Sequence, residues 1–357
     1  MIKRLRWLRW LLLPLGLIHL IVVRFRNSAY DKGLFQSRKL PVPVISIGNV
    51  QAGGTGKTPI TFFLIRALQK QGLRVGLLSR GYGRQSSDTL IFVRGGKLEP
   101  TPATAGDEPM ELWETIVNGG MGIGSNRFEA GTALLESCKL DCLLLDDGMQ
   151  HRKLQRDIEI CAIDVSRWSA HPFLLPFSYL RDSKSRLADA SVLLLSKWEQ
   201  QPEGLSLIQK DLTRYANADA NIQKMSYNLQ LPKTLNGKNL EKSLEQVGVF
   251  TGIANPEHFT LSLRNAGYEV VFERHFPDHH SFNLNELETA VREASGKKIN
   301  ALLVTKKDAV KIHPLLQGKA ELAEKFAVVA VEVTPEDPKA FIEVVLSVIK
   351  GQKSTTM

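Results

Sequence analysis

Residues Gly48-Asn49-Val50-Gln51-Ala52-Gly53-Gly54-Thr55-Gly56-Lys57-Thr58 directly follow the apolar run Val44-Ile45-Ser46-Ile47. A strand, a glycine-rich turn and a helix in that order can cradle phosphate. Glycines let backbone N–H groups converge on oxygen, and the helix N-terminus adds positive potential. The expected nucleotide contacts are Gly53, Gly54, Thr55, Gly56, Lys57 and Thr58. Lys57 would reach the β- and γ-phosphates, and Thr58 would offer its hydroxyl to Mg²⁺. The match is not strict, since the usual pattern has glycine where this chain has Gln51. Leu143-Leu144-Leu145-Asp146-Asp147 is the natural companion, an apolar strand ending in two acids. Mg²⁺ takes one or two carboxylates together with phosphate oxygens and water, so Asp146 and Asp147 are candidate metal ligands.

Two further acidic segments could take part in a transfer. Gly106-Asp107-Glu108-Pro109 places two carboxylates in a turn or helix start, where N-capping alone would account for them. Phe276-Pro277-Asp278-His279-His280 offers acid and imidazole together. Adjacent histidines rarely face one ion, and no zinc-type spacing surrounds them. The residues favour one histidine paired with a carboxylate, an arrangement able to take a proton from a hydroxyl acceptor.

These residues need a scaffold. Expected strands are Val42–Ile47, Arg74–Leu78, Cys142–Leu145, Ile158–Ile163 and Val192–Ser196, with helices beginning near Lys57 and Arg127. Near-continuous apolar strands separated by helices predict a parallel sheet covered on both faces. From about residue 200 the chain turns polar, and residues 223–246 read as a linker. A second αβ pattern follows: strand Gln246–Phe250, helix from Asn255, strand Tyr268–Arg274, helix from Asn283, strand Ala301–Thr305 and strand Phe326–Val333. The expected fold class is α/β. It has a P-loop lobe over 28–222, a smaller α/β lobe over 247–350 and a hydrophobic helix within 1–27. A cleft between lobes is where a ligand would bind.

The chain has 357 residues, with 46 Lys+Arg against 37 Asp+Glu. Mean hydropathy of −0.11 excludes a polytopic membrane protein. Six cations (Lys3, Arg4, Arg6, Arg9, Arg24, Arg26) precede the first acid, Asp31. The excess charge is therefore local, which argues against a nucleic-acid partner. Cys138, Cys142 and Cys161 form neither a disulfide framework nor a zinc pattern, as in a reduced intracellular protein. Trp10 to Val23 is apolar except for His19, yet fourteen helical residues reach only ~21 Å of a ~30 Å hydrocarbon core. A helix lying in the cytoplasmic face of a membrane fits better, with Trp7 and Trp10 at headgroup level and arginines near anionic lipid. The competing expectation is a helix docked on its own domain.

Several motifs occur together and in order: Gly48-Asn49 with GGTGKTP, Ser79-Arg80-Gly81-Tyr82-Gly83, Gly106-Asp107-Glu108-Pro109, Asp146-Asp147-Gly148-Met149-Gln150-His151 with Leu154 and Arg156-Asp157, and Asp278-His279-His280-Ser281-Phe282. In this the chain resembles the tetraacyldisaccharide 4′-kinase family, from the amino-terminal helix to about Lys311. The resemblance implies ATP-dependent phosphorylation of the 4′-hydroxyl of a tetraacylated glucosamine disaccharide 1-phosphate, giving lipid IVA, at the cytoplasmic side of the inner membrane. It implies ATP and Mg²⁺ as cofactors, an acylated disaccharide lipid as substrate, and no protein partner. By resemblance Asp107 is the base, His279 its partner, and Lys57 the group holding the transferring phosphate. Thr58, Glu108, Asp146 and Asp147 would serve Mg²⁺, and Tyr82, Arg127, Arg80, Gln150 and Arg181 would line the acceptor side.

The chain departs from that family at two places. The usual P-x-G-x-L-R-E reads Pro176-Phe177-Ser178-Tyr179-Leu180-Arg181-Asp182, and the usual T-E-K-D reads Thr305-Lys306-Lys307-Asp308. The latter also fits the TKxD spelling by which GTPases read guanine, so a membrane-tethered regulatory GTPase is one alternative. A partitioning-type ATPase is another, although its characteristic lysine is replaced by Ala52.

Overall fold

A computed structural model describes residues 8–355, apart from 201, 236, 239, 241–245, 254, 255, 279, 298 and 300. His279, Asn255, Trp7 and the cations Lys3, Arg4 and Arg6 lie outside the described residues.

The helix α1 (Leu13–Asp31) precedes the first strand, β1 (Val44–Gly48). The first lobe continues through α2 (Lys57–Lys70), β2 (Val75–Ser79), β3 (Leu90–Val93), α3 (Asp107–Trp113), β4 (Gly119–Ile123) and α4 (Arg127–Ser137). It goes on with β5 (Cys142–Asp146), β6 (Ile158–Asp164), β7 (Val192–Ser196), α5 (Pro202–Tyr215) and β8 (Asn221–Leu229). The second lobe holds β9 (Lys233–Thr234), β10 (Gln246–Thr251), α6 (Pro256–Asn265), β11 (Glu269–His275), α7 (Leu284–Gly296), β12 (Leu302–Thr305), α8 (Lys306–Leu315) and β13 (Phe326–Val329). The chain then runs through β14 (Val331–Pro335) into α9 (Pro338–Thr355).

The larger sheet has the order β14-β8-β7-β6-β1-β5-β2-β4-β3, parallel except at its two edges. Every residue of β1, β2, β5 and β7 is buried, as expected where helices cover both faces. β1 lies centrally between β5 and β6, with Ile47 opposite Asp146. That register sends the glycine-rich turn and the acid pair off the same edge of the sheet. Ligands of open α/β sheets collect beyond such carboxyl ends. The smaller sheet has the order β11-β10-β12-β13-β9 and is parallel apart from β9.

Three expectations about chain organisation change. The segment 223–246 is not simply a linker, because β8 extends the large sheet to Leu229 and β9 joins the small one. The run Phe326–Val333 is not one strand. It breaks at Ala330, so that β13 pairs with β12 while β14 crosses to pair with β8. The last helix, α9, belongs with the first lobe, where Phe341, Val345 and Ile349 join its core and Phe341 stacks on Phe63.

The expectation of a helix docked on its own domain holds for one face of α1. Leu20 and Val23 pack with Leu174 and Leu180, and His19 Nδ1 lies 2.9 Å from the Leu175 carbonyl. Leu15, Ile18, Ile21, Val22 and Phe25 on the rest of α1 are exposed. Among the described residues, no helix is long and apolar enough to cross a membrane.

Candidate active site

The glycine-rich turn is held by side chains that bind the Thr55 hydroxyl and the Gly54 and Thr55 carbonyls. Asn49 Nδ2 donates to Thr55 Oγ1 at 2.7 Å, and Ser196 Oγ donates to the Thr55 carbonyl at 3.2 Å. Lys197 Nζ donates to the Gly54 carbonyl at 3.1 Å and to Asp164 Oδ2 at 2.6 Å. Gly56 has φ of 94°, and a Cβ there would come within 2.2 Å of Tyr227 Oη, so glycine is required on both counts. The unexpected Gln51 has a mechanical explanation. Its amide donates to the Asp164 carbonyl at 3.0 Å and accepts from the Asp164 N–H at 2.8 Å, fastening the start of the turn to β6.

Beside this turn the two acids have different environments. Asp146 is buried, and its Oδ1 meets no hydrogen-bond donor among the described residues. Burial, with Glu108 and Asp147 nearby, pushes its carboxyl up to about 7. Asp147 accepts from Arg181 Nη1 at 3.1 Å and from Arg181 Nη2, and Lys57 Nζ stands 3.5 Å from its Oδ1. Burial works to raise Asp147, but Lys57 and Arg181 outweigh it and bring it down to about 2. Arg181, expected on the acceptor side, is thus engaged with the acid pair while also lining the cleft.

A cleft of about 1410 Å³ joins these groups. Gly53 to Thr58, Glu108, Asp146 and Asp147 line it, with Asp278 and Lys307 from the second lobe. Arg80, Tyr82, Arg127, Gln150 and Arg181 line the same space, so every residue expected on the acceptor side reaches it. Asp107 is not among the lining residues. It begins α3, next to Glu108, with its Oδ2 2.9 Å from Lys311 Nζ. The contact with His279 expected for Asp107 falls outside the described residues.

Motif reading missed Arg26, and it named Asp182, Gln150 and His151 without the contacts that define what they do. Arg26, at the carboxyl end of α1, reaches the cleft and stands 3.6 Å from Asp182. Asp182 is wholly buried and accepts from Asn27 Nδ2 at 2.8 Å, so it is a strut between helix and cleft and cannot touch a substrate. Gln150 donates to the Asn49 carbonyl at 2.8 Å, which ties the acid strand's loop to the start of the glycine-rich turn. His151 also lines the cleft, and burial, reinforced by Arg127 and other cations, pushes its imidazole down to about 4. A neutral histidine among arginines is readable only once the fold has assembled them.

The TKxD alternative fails on geometry. Asp308 is wholly buried and accepts from Thr251 Oγ1 at 2.5 Å, the Gly252 N–H at 3.1 Å and Thr305 Oγ1 at 2.7 Å. It ties α8 to β10 and has no face left to read a base.

Known proteins resemble this chain along nearly its whole length. A family profile described as tetraacyldisaccharide-1-P 4′-kinase matches residues 8–350. The tetraacyldisaccharide 4′-kinase of Psychrobacter cryohalolentis is 36% identical over 324 residues, covering 88% of this chain and 82% of that protein. Its counterpart from Mannheimia succiniciproducens is 31% identical over 348 residues, 97% of each chain. Among solved structures, the "apo" form of LpxK from Aquifex aeolicus in complex with ATP superposes with a TM-score of 0.77 and 29% identity, covering 96% of this chain and 99% of that one.

Proposed function

The chain belongs to the tetraacyldisaccharide-1-P 4′-kinase family, and from that membership we propose how its cleft divides the labour of the reaction. The reaction is ATP-dependent phosphorylation of the 4′-hydroxyl of the lipid A precursor. The glycine-rich turn holds the triphosphate, and Lys57 follows the γ-phosphoryl group as it leaves ADP. Asp107 takes the proton of the acceptor hydroxyl while the new O–P bond forms and the bond to the β,γ-bridging oxygen breaks. His279 supports Asp107. Arg80, Tyr82, Arg127 and Gln150 orient the acidic sugar. The observation that carries this reading is one cleft shared by the phosphate turn, Glu108, Asp146, Asp147 and the basic wall, with Asp107 adjoining Glu108 at the start of α3.

The acids suit Mg²⁺. Among the described residues no three acid, imidazole or thiol groups already form a metal cage. A buried Asp146 oxygen nevertheless has no donor, and Glu108 and Asp147 crowd it more than Lys57 and Arg127 offset. Mg²⁺ normally completes such a partial set with phosphate oxygens and water. Thr58, Asp146, Asp147 and Glu108 would hold the ion, which when bound neutralises charge on the phosphates.

The exposed apolar face of α1 lies in the cytoplasmic surface of the inner membrane, with Trp10 at headgroup depth. Arg26, at the end of that helix, reaches the same cleft, so a lipid acceptor rises from the bilayer beside the basic wall.

The test is transfer from γ-labelled nucleotide to a tetraacylated disaccharide 1-phosphate in detergent micelles. Label should pass to the lipid from ATP and far less from GTP, with little nucleotide hydrolysis when acceptor is omitted. Nucleotide turnover indifferent to the lipid would contradict the proposal.

A further inference from the structure

Helix α8 carries two lysines one turn apart, Lys307 and Lys311, on a face that meets α3 of the other lobe. Each lysine reaches in two directions. Lys311 Nζ is 2.9 Å from Asp107 Oδ2 and donates to the His280 carbonyl at 3.2 Å. Lys307 Nζ donates to Asp278 Oδ1 at 3.1 Å and stands 3.9 Å from Glu108 Oε1. The two lysines therefore clasp Asp278 and His280 of the second lobe to the neighbouring acids Asp107 and Glu108 of the first. Both side chains are largely shielded, with exposures of 9% for Lys311 and 15% for Lys307. A shielded ammonium is retained only where acceptors satisfy it, and Lys311 has one acceptor on each lobe.

We propose that Lys311 is a positioning residue for phosphoryl transfer, holding one oxygen of Asp107 while pinning the carbonyl of His280. Fixing one carboxylate oxygen orients the other, and pinning the His280 carbonyl sets the position of that residue relative to Asp107. Lys307 makes the parallel connection from Asp278 to Glu108. The lobe contact thereby has a chemical consequence: the acids of α3 are aligned only when the second lobe's loop is in place. This proposal rests on Asp107 acting as the base, and the experiment separates the two ideas.

A double-mutant cycle combines Lys311→Met with Asp107→Asn, reading kcat, KM for ATP and thermal melting of the full-length protein. Lys311→Met should lower kcat by about 10- to 100-fold, the cost of misplacing a reacting group, with KM for ATP within about threefold of the parent. In the Asp107→Asn background the same change should cost less than about threefold, because the base that Lys311 positions is already gone. Lys311→Arg should keep most of the parent's rate. Should Lys311→Met not fold, Lys311→Gln replaces it in the same cycle. A full additional loss in the Asp107→Asn background would overturn the proposal, as would a loss of ATP affinity in step with kcat. A parent-like rate for Asp107→Asn alone would instead overturn the role of Asp107.

Discussion

At the residue scale, the phosphate site depends on a few cations whose partners are now assigned. Lys57→Ala should weaken ATP binding and turnover together, because the same ammonium faces the phosphates in the ground state and the transition state. Loss of turnover at unchanged ATP affinity would contradict that. Arg181→Met should raise the carboxyl of Asp147, which Lys57 and Arg181 together hold at about 2 against burial. The expected readout is a lower Mg²⁺ concentration for half-maximal rate, since a cation that competes for the Asp147 carboxylate is gone; an unchanged or raised Mg²⁺ requirement would refute it. The spacing of Gly53, Gly56, Lys57 and Thr58 was legible in the sequence because phosphate cradling is a local backbone property. The roles of Gln51 and Asp182 were not. Gln51 meets Asp164 and Asp182 meets Asn27, partners 113 and 155 positions away, and no local pattern reports such contacts.

Among the elements, the α3–α8 contact carries a titratable group of its own. Burial pushes Glu111 on α3 up to about 7, against the pull of Lys306 on α8. An exposed glutamate titrates near ~4.3, so between those values the folded chain holds a proton that the unfolded chain has lost. The stability Glu111 contributes is therefore full below about 4 and declines as pH rises through about 7. Glu111→Gln should flatten that decline. Relative to the parent it should gain melting temperature at pH 8 and nothing at pH 4, an effect on the order of 1 kcal/mol. A parallel pH dependence in both proteins would refute it. Helix α1 offers a steric test. A Cβ at Gly16 would lie 2.8 Å from Phe177 Cβ and 2.9 Å from the Leu174 carbonyl. Gly16→Val should loosen the docked helix, costing about 1–3 kcal/mol by overpacking. Unchanged melting would show that the helix is not held there. The strands β1, β2, β5 and β7 were readable as uninterrupted apolar runs. Strand β8 was not, because one of its inward positions is Gln223, satisfied by the Asp337 N–H at 3.0 Å rather than by burial alone.

On the scale of the whole molecule, the chain passes between lobes more than once. It leaves the large sheet after β8, builds the small sheet, and returns through β14 and α9. An apolar run such as Phe326–Val333 cannot disclose that its halves serve different sheets; only the pairing of β13 with β12 and of β14 with β8 does so. The two-lobed α/β class and the inter-lobe cleft were nonetheless legible from alternating strand and helix patterns. Deleting residues 1–26 should both release the protein from membranes and reduce turnover of micellar acceptor, because Arg26 is lost from the cleft. Membrane recovery equal to the parent's would contradict the surface-lying helix. The most direct test of the proposed transfer is a single-turnover measurement on Asp107→Asn preloaded with γ-labelled ATP and mixed with acceptor. ATP should bind as tightly as in the parent while transfer to the lipid slows at least ~100-fold. Transfer at close to the parental rate, or ATP binding lost in equal measure, would contradict it.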